Sequence, residues 1–232
     1  MNQTEADMTK PILKMRLIAL GEWLFSQRSW TPVPFILFLA VCPLGETRRD
    51  VITWVPGLFL LALGESLRVW AVAVVGKESR TRGSGVNRLV TSGPYAFVRN
   101  PLYLGNFLLT LGATFVSELL WMVPVVVLLY AFQYTCIVRW EEHILSERFG
   151  AEYLAYCQRV PCWIPRLSHR AHTGPVPYQW RAALWSERST LTTLTVLLLV
   201  MSAKENLQHL PKFLDKHGVQ VSPVLQKVLK GF

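Results

Sequence analysis

The chain has 232 residues, 51% of them hydrophobic and only 17% charged, with nine Trp and a formal net charge of +9. An average soluble domain carries about 25% charge, so this composition excludes a disordered chain and argues against an ordinary soluble globule. The basic residues bracket apolar blocks and form no continuous stripe, which reads as cytoplasmic-side membrane topology and not as a nucleic-acid surface.

In chain order, residues 1–28 come first. Glu5, Asp7, Lys10, Lys14 and Arg16 interrupt any apolar run there, so the stretch is no secretory signal and is expected to be a cytoplasmic segment. Uncharged stretches then mark the membrane segments: Ser29 to Gly45, Val51 to Gly76 (broken only by Glu65 and Arg68), Asn100 to Ser117, Leu119 to Val138, and a weaker Ser189 to Ala203. A spanning helix needs about 20 apolar residues. The fourth segment qualifies outright and the second does if its two charges pair. The first is marginal, and the fifth is short enough to lie in the interface. The sequence therefore predicts an all-α, polytopic transmembrane bundle of about five membrane helices. Its core is expected over 29–166, followed by an extension over 167–232 that carries the fifth segment and a basic tail.

Loop charge sets the expected orientation. Lys77, Arg80, Arg82, Arg88 and Arg99 face a single acid, Glu78, in one loop, and seven Arg fall between residues 139 and 188. The opposite side offers Arg48 and Arg49, balanced by Glu46 and Asp50. An N-in arrangement places every basic loop in the cytoplasm. The exception is the tail from Lys204 on, which lies outside if the fifth segment spans. Glu65 and Arg68, one helical turn apart, are expected to form a structural ion pair that locks helices together.

The third segment is too short. From Leu102 to Phe115 a helix reaches about 21 Å at ~1.5 Å per residue, against a hydrocarbon core of ~30 Å. Gly93-Pro94 and Pro101 precede it, and neither continues a helix. Non-helical backbone at membrane depth is tolerated where it lines a protein cavity. The stretch Arg88–Pro101 is thus expected to fold into a pocket at the cytoplasmic membrane edge, where a polar ligand from the cytosol meets an apolar one from the bilayer.

Four cysteines point to no metal. Cys42 and Cys136 lie in apolar runs, and Cys157 and Cys162 have no second pair at zinc spacing; His169 and His172 sit in a polar loop. Two other blocks carry the chemistry. One runs from Asn87 to Gly105 through Gly93-Pro94-Tyr95 and Arg99-Asn100-Pro101-Leu102-Tyr103; the other runs from Glu141-Glu142 through Phe149-Gly150, Tyr153 and Tyr156 to Val160-Pro161. Adjacent helical residues point about 100° apart, so Glu141 and Glu142 cannot serve one role. One can face a ligand while the other pairs with an Arg. The plain structural alternative is a solvated acidic helix end with a Gly150 cap.

Together the two blocks resemble the isoprenylcysteine carboxyl methyltransferase and phospholipid methyltransferase superfamily, over about residues 50–166. The resemblance implies an integral membrane enzyme that uses S-adenosylmethionine and methylates a lipophilic acceptor from the bilayer, an amine-headgroup lipid or another small N, O or S nucleophile. Carried over by motif, the cofactor contacts are Leu89, Val90, Tyr95, Asn100, Pro101, Leu102, Tyr103 and Glu141. Backbone at Leu89 and Val90 can bond the adenine edge, tyrosine rings can favour the sulfonium, and Glu141 can hold hydroxyls or the ammonium. Glu142 is the expected proton acceptor, and with Arg99 it makes up the expected catalytic set. Three positions depart from the prenylcysteine-modifying pattern: Asn87 and Asn100 replace His, and Ile137 replaces an Arg that binds the substrate carboxylate. Arg139 lies ~200° around the helix from Ile137 and is no substitute. Two other readings stand beside this one, an NADPH-dependent sterol or steroid reductase with a related arrangement and a non-catalytic membrane scaffold. Asn106 after Gly105, together with Glu141-Glu142, favours the methyltransferase.

Overall fold

Prolines and long uncharged runs set the helices. The computed structural model describes residues 3–28, 30–42, 50–76, 88–166 and 178–216. Every regular element among the described residues is helical: α1 (Gln3–Gln27), α2 (Pro32–Val41), α3 (Asp50–Val75), α4 (Pro101–Val116), α5 (Val123–Arg159) and α6 (Trp180–Lys216), with short 3-10 turns at Gly93–Ala96 and Leu120–Met122. Proline opens α2, α4 and the first turn of α5, where its missing N–H costs nothing.

The centre of the bundle is the antiparallel pair α3–α4, held by glycines that face each other across it. A Cβ on Gly64 would stand 2.8 Å from the Gly105 carbonyl, and one on Gly112 would stand 2.8 Å from the Gly57 carbonyl. Small residues that let helix backbones touch are a usual device where lipid supplies no hydrophobic driving force between helices. The α4–α5 hairpin is pinned to the start of α3, since the Thr53 hydroxyl donates to buried Glu118 at 2.9 Å. Glu118 itself takes φ +60° in the turn.

Helix α1 packs along α5. Gly21 lies against the Cys136 carbonyl, and the Phe25 and Trp140 rings are 4.7 Å apart. Helix α5 is long, but its helical path breaks at Gly150 (φ +49°, ψ −122°) before resuming to Arg159. The expected helix end at Gly150 is therefore a kink, because the chain turns through a left-handed residue and then continues as helix.

Val51–Val75 and Leu120–Arg159 are long and apolar enough to cross a membrane, and α4 is a shorter apolar helix. Large apolar side chains point outward along both, among them Val51, Ile52, Phe59, Leu128, Leu129 and Phe132. So much exposed apolar surface fits a lipid environment and not water. The expected first segment is helical only from Pro32 to Val41, and residues 43–49 lie outside those described. The fifth segment differs more. The uncharged run from Ser189 to Ala203 is part of the 37-residue α6, in which Ala183, Glu187, Thr190, Leu194, Leu197 and Met201 recur at intervals of three and four. That spacing puts one stripe on one face, and Ala183, Glu187, Leu197 and Met201 on it are buried against the bundle.

Candidate active site

The loop between α3 and α4 is shaped from both ends. Gly93 takes φ +60° and lies so close to α3 that a Cβ there would meet Val74 Cγ2 at 2.6 Å. Arg88 donates from Nη2 to the Val74 carbonyl at 3.2 Å. The other side is stitched to the chain after α5: the Tyr156 hydroxyl donates to the Tyr95 carbonyl at 2.7 Å, the Arg99 amide to the Pro161 carbonyl at 2.9 Å, and the Arg166 amide to the Phe97 carbonyl at 3.0 Å. These bonds satisfy non-helical backbone that would otherwise be costly in a dry setting.

A cavity of about 920 Å³ opens beneath this loop, and Leu89, Val90, Tyr95, Arg99, Asn100, Pro101, Leu102, Tyr103, Glu141 and Glu142 all line it. The two blocks, about 40 residues apart in sequence, thus meet on one wall-to-wall space. Asn87, where the family pattern has a His, lies outside the described residues.

The neighbouring carboxylates diverge as adjacent helical residues must. Glu141 Oε1 accepts from the Tyr103 hydroxyl at 2.8 Å. Glu142 Oε1 instead forms an ion pair with Arg99 Nη1 at 2.8 Å, with both side chains mostly buried. Arg99 Nη1 also donates to Cys157 Sγ at 2.8 Å, while its Nε is buried with no hydrogen-bond partner. Burial works against the Arg99 charge, but the Glu142 carboxylate beside it holds its pKa above the ordinary value. Asn100 donates from Nδ2 to the Cys162 carbonyl at 3.2 Å and approaches Cys162 Sγ at 3.3 Å. Burial first, then Glu142, pushes the Cys162 thiol up to about 11, so it stays protonated at neutral pH.

Several residues of this cavity were not expected from the sequence. Tyr130, Tyr134 and Tyr103 form an aromatic wall, with Tyr130 and Tyr134 stacked at 4.0 Å and Tyr103 and Tyr134 at 4.7 Å. The Tyr130 hydroxyl donates to the Tyr103 carbonyl. One turn deeper along α4, Asn106 accepts from Arg68 and donates to the Tyr134 hydroxyl at 3.2 Å. Arg68 does not rest mainly on Glu65, as the sequence suggests. Glu65 lies 3.8 Å from Arg68 Nε, whereas Glu187 of α6 accepts from that nitrogen at 3.1 Å and from Nη2 as well. The charge that ties α3 to another helix therefore comes from α6. Its signal in the sequence is an acid on the inward stripe of α6, just before the uncharged run from Ser189 to Ala203. Ile137 is fully buried in the core beside Phe25 and Trp140, and Arg139 is exposed. Among the described residues, no group of three His, Cys, Asp or Glu is placed to hold a metal ion; His169 and His172 lie outside them.

Residues 52–152 match the family model for phospholipid methyltransferases, which bears out the resemblance carried by the two blocks. The chain is 38% identical over 137 residues to the cobalt-zinc-cadmium resistance protein CzcN of Cupriavidus metallidurans, a match covering 56% of this chain and 59% of that protein. It is 31% identical over 114 residues to protein-S-isoprenylcysteine O-methyltransferase B of Arabidopsis thaliana, covering 47% of this chain and 57% of the relative. It is also 35% identical over 124 residues to the human protein-S-isoprenylcysteine O-methyltransferase, covering 49% and 42% respectively. The matched stretch spans between about two fifths and three fifths of these relatives' lengths. No solved structure matches the chain.

Proposed function

We propose that this protein is an integral membrane methyltransferase that moves a methyl group from S-adenosylmethionine to a lipophilic acceptor drawn from the bilayer. The observation that carries the reading is one cavity in which the Tyr103–Glu141 bond and the Arg99–Glu142 ion pair stand side by side. The fit of the donor rests on the lining: loop residues Leu89 and Val90, the rings of Tyr95 and Tyr103, and the Glu141 carboxylate suit a nucleoside that carries both a sulfonium and an ammonium. Asn100, Pro101 and Leu102 complete that end. When bound, S-adenosylmethionine supplies an electrophilic methyl on a sulfonium, which a nitrogen, oxygen or sulfur nucleophile takes while the sulfur keeps the bonding pair.

The chain's own contribution is alignment and exclusion of water, which can account for a large share of such a barrier. Arg99 holds Glu142 in place, and Glu142 is the proposed proton acceptor for an acceptor that arrives protonated. The loop stitched to the end of α5 closes the polar end of the cavity. We place this end at the cytoplasmic membrane edge, with about five segments in the membrane, a catalytic core over 29–166, a cytoplasmic segment over 1–28, and an extension over 167–232. Ile137 and the exposure of Arg139 favour an acceptor other than a free carboxylate, because a buried carboxylate without a cation pays an uncompensated desolvation cost.

The test is twofold. Purified protein in detergent should bind S-adenosylmethionine saturably by calorimetry and transfer a labelled methyl into a total membrane lipid extract. Absence of cofactor binding in folded protein would reject the proposal.

A further inference from the structure

Past the Tyr103–Glu141 bond the cavity does not end. Its wall continues down α4 through Asn106, Leu109 and Ala113, and α6 closes the opposite side with Glu187, Thr190 and Leu197. Leu109, Ala113 and Leu197 give the far arm apolar surface, and a hydrocarbon chain lying against them sets its head beside Arg68 and Glu187. Helix α6 lies beyond the stretch that matches the phospholipid methyltransferase family, which ends at residue 152.

Charge at this station is unbalanced. One guanidinium, Arg68, stands between two carboxylates. Glu187, only 2% exposed, binds it closely and accepts from Thr190 Oγ1 at 3.1 Å. Glu65, 8% exposed, lies 3.8 Å from Arg68 Nε, and neither of its oxygens has a hydrogen-bond partner. At membrane depth such charges interact through a low dielectric and are weakly screened. An anionic head approaching Arg68 has to displace Glu187, which leaves a buried carboxylate without its cation. A cationic head meets the Glu187 carboxylate at the cavity wall, with Glu65 buried beside Arg68 and off the lining, and displaces nothing.

We propose that Glu187, through its pairing with Arg68, is the specificity-determining residue that admits cationic lipophilic acceptors and rejects anionic ones. This rests on the methyl-transfer reading only in calling the bound lipid an acceptor. Discrimination of this kind works by repulsion as much as by attraction.

Dodecylamine and dodecanoate carry the same chain and opposite head charges at pH 7, and both can be titrated into the full-length protein in a neutral detergent. Wild type should bind the amine at least tenfold more tightly than the acid. Glu187→Gln should shrink that ratio to threefold or less while leaving the affinity for S-adenosylmethionine unchanged, and Glu187→Asp should restore the preference. Equal affinities in wild type overturn the proposal, and so does an unchanged ratio in folded Glu187→Gln. Should that variant not fold, the wild-type ratio decides. Head-group selectivity without any S-adenosylmethionine binding would sink the methyl-transfer reading and leave this one standing.

Discussion

Replacing Glu141 with Gln isolates one charge at the heart of the cavity. The Tyr103 hydroxyl donates to Glu141 Oε1 at 2.8 Å, and Gln keeps an oxygen in the same place. A bond to a charged acceptor contributes about 1.5–3 kcal/mol and a neutral one about 0.5–1.5, so the Tyr103 bond loses about 1–1.5 kcal/mol. A hydroxyl or ammonium of the cofactor that bonds the same carboxylate loses a similar amount. Only this second loss acts on binding, because the Tyr103 bond stands with and without cofactor; about 1–1.5 kcal/mol predicts a Kd for S-adenosylmethionine raised roughly 5- to 12-fold. Tyr103→Phe keeps the ring that packs on Tyr134 and the Glu141 charge and removes only the bond between them, so its Kd should rise by no more than about twofold to threefold. Calorimetry on detergent-purified wild type and both variants, with near-ultraviolet circular dichroism to establish native packing, gives the comparison. Wild-type affinity in folded Glu141→Gln would show that the carboxylate does not touch the cofactor, and the placement of the donor end would fall with it.

Gly64→Val should lower stability by about 1–3 kcal/mol or prevent assembly, because its side chain would drive into the Gly105 carbonyl 2.8 Å away; thermal unfolding in detergent measures this. Gly150→Ala meets nothing within 4 Å and loses only the ease of a φ of +49°, so a smaller drop of about 1 kcal/mol is expected in the same assay. Cys162 has a folded pKa pushed from 9.0 to about 11 by burial. Its contribution is therefore fully present below pH 9 and lost as pH rises through the folded value, and Cys162→Ala should flatten the fall in Tm between pH 9 and pH 11. A farnesylcysteine analogue should receive little labelled methyl compared with an amine-headgroup lipid; robust carboxyl methylation would mean that another cation, Arg99 or Arg68, serves in place of Ile137.

The local parts of this fold are legible because local rules govern them. Prolines at the starts of α2 and α4, the positive-φ glycine at 93 and the divergence of Glu141 from Glu142 follow from sterics within a few residues. The site residues singled out by the two motifs, about 40 positions apart in sequence, all line one cavity. The partner of Arg68 was not legible in this way. Glu65 is one turn away on the same helix, and i,i+3 proximity makes it the natural choice. Yet Glu187, 119 positions along the chain, takes the guanidinium, because α6 packs its inward stripe onto α3. Tertiary placement decided the pairing, and sequence spacing carries little information about it. The length of α6 was misjudged for a related reason: charges at Arg188 and Lys204 bound its apolar stretch but do not stop its hydrogen-bond ladder.

These two misses bear on where specificity is written. The stretch 52–152 that matches a family model contains Asn106, Glu141 and Glu142 and builds the end of the cavity proposed to hold the methyl donor. The walls that an acceptor's head and chain would touch include α6 and the start of α2, at Glu187, Leu197, Phe35 and Ile36. Chemistry at the donor is the same for every acceptor and tolerates little change in the groups that align it. Selection among acceptors depends on differences in binding, and these can be altered one wall residue at a time. Two relatives can therefore share the Glu-Glu block and differ in what they methylate. In this chain Ile137 packs in the core between α1 and α5, whereas an acid from a helix outside the matched stretch faces the cavity. A carboxylate-binding Arg is thus absent at Ile137 while a carboxylate lines the cavity at Glu187, and under the proposed reading both favour an acceptor of positive charge.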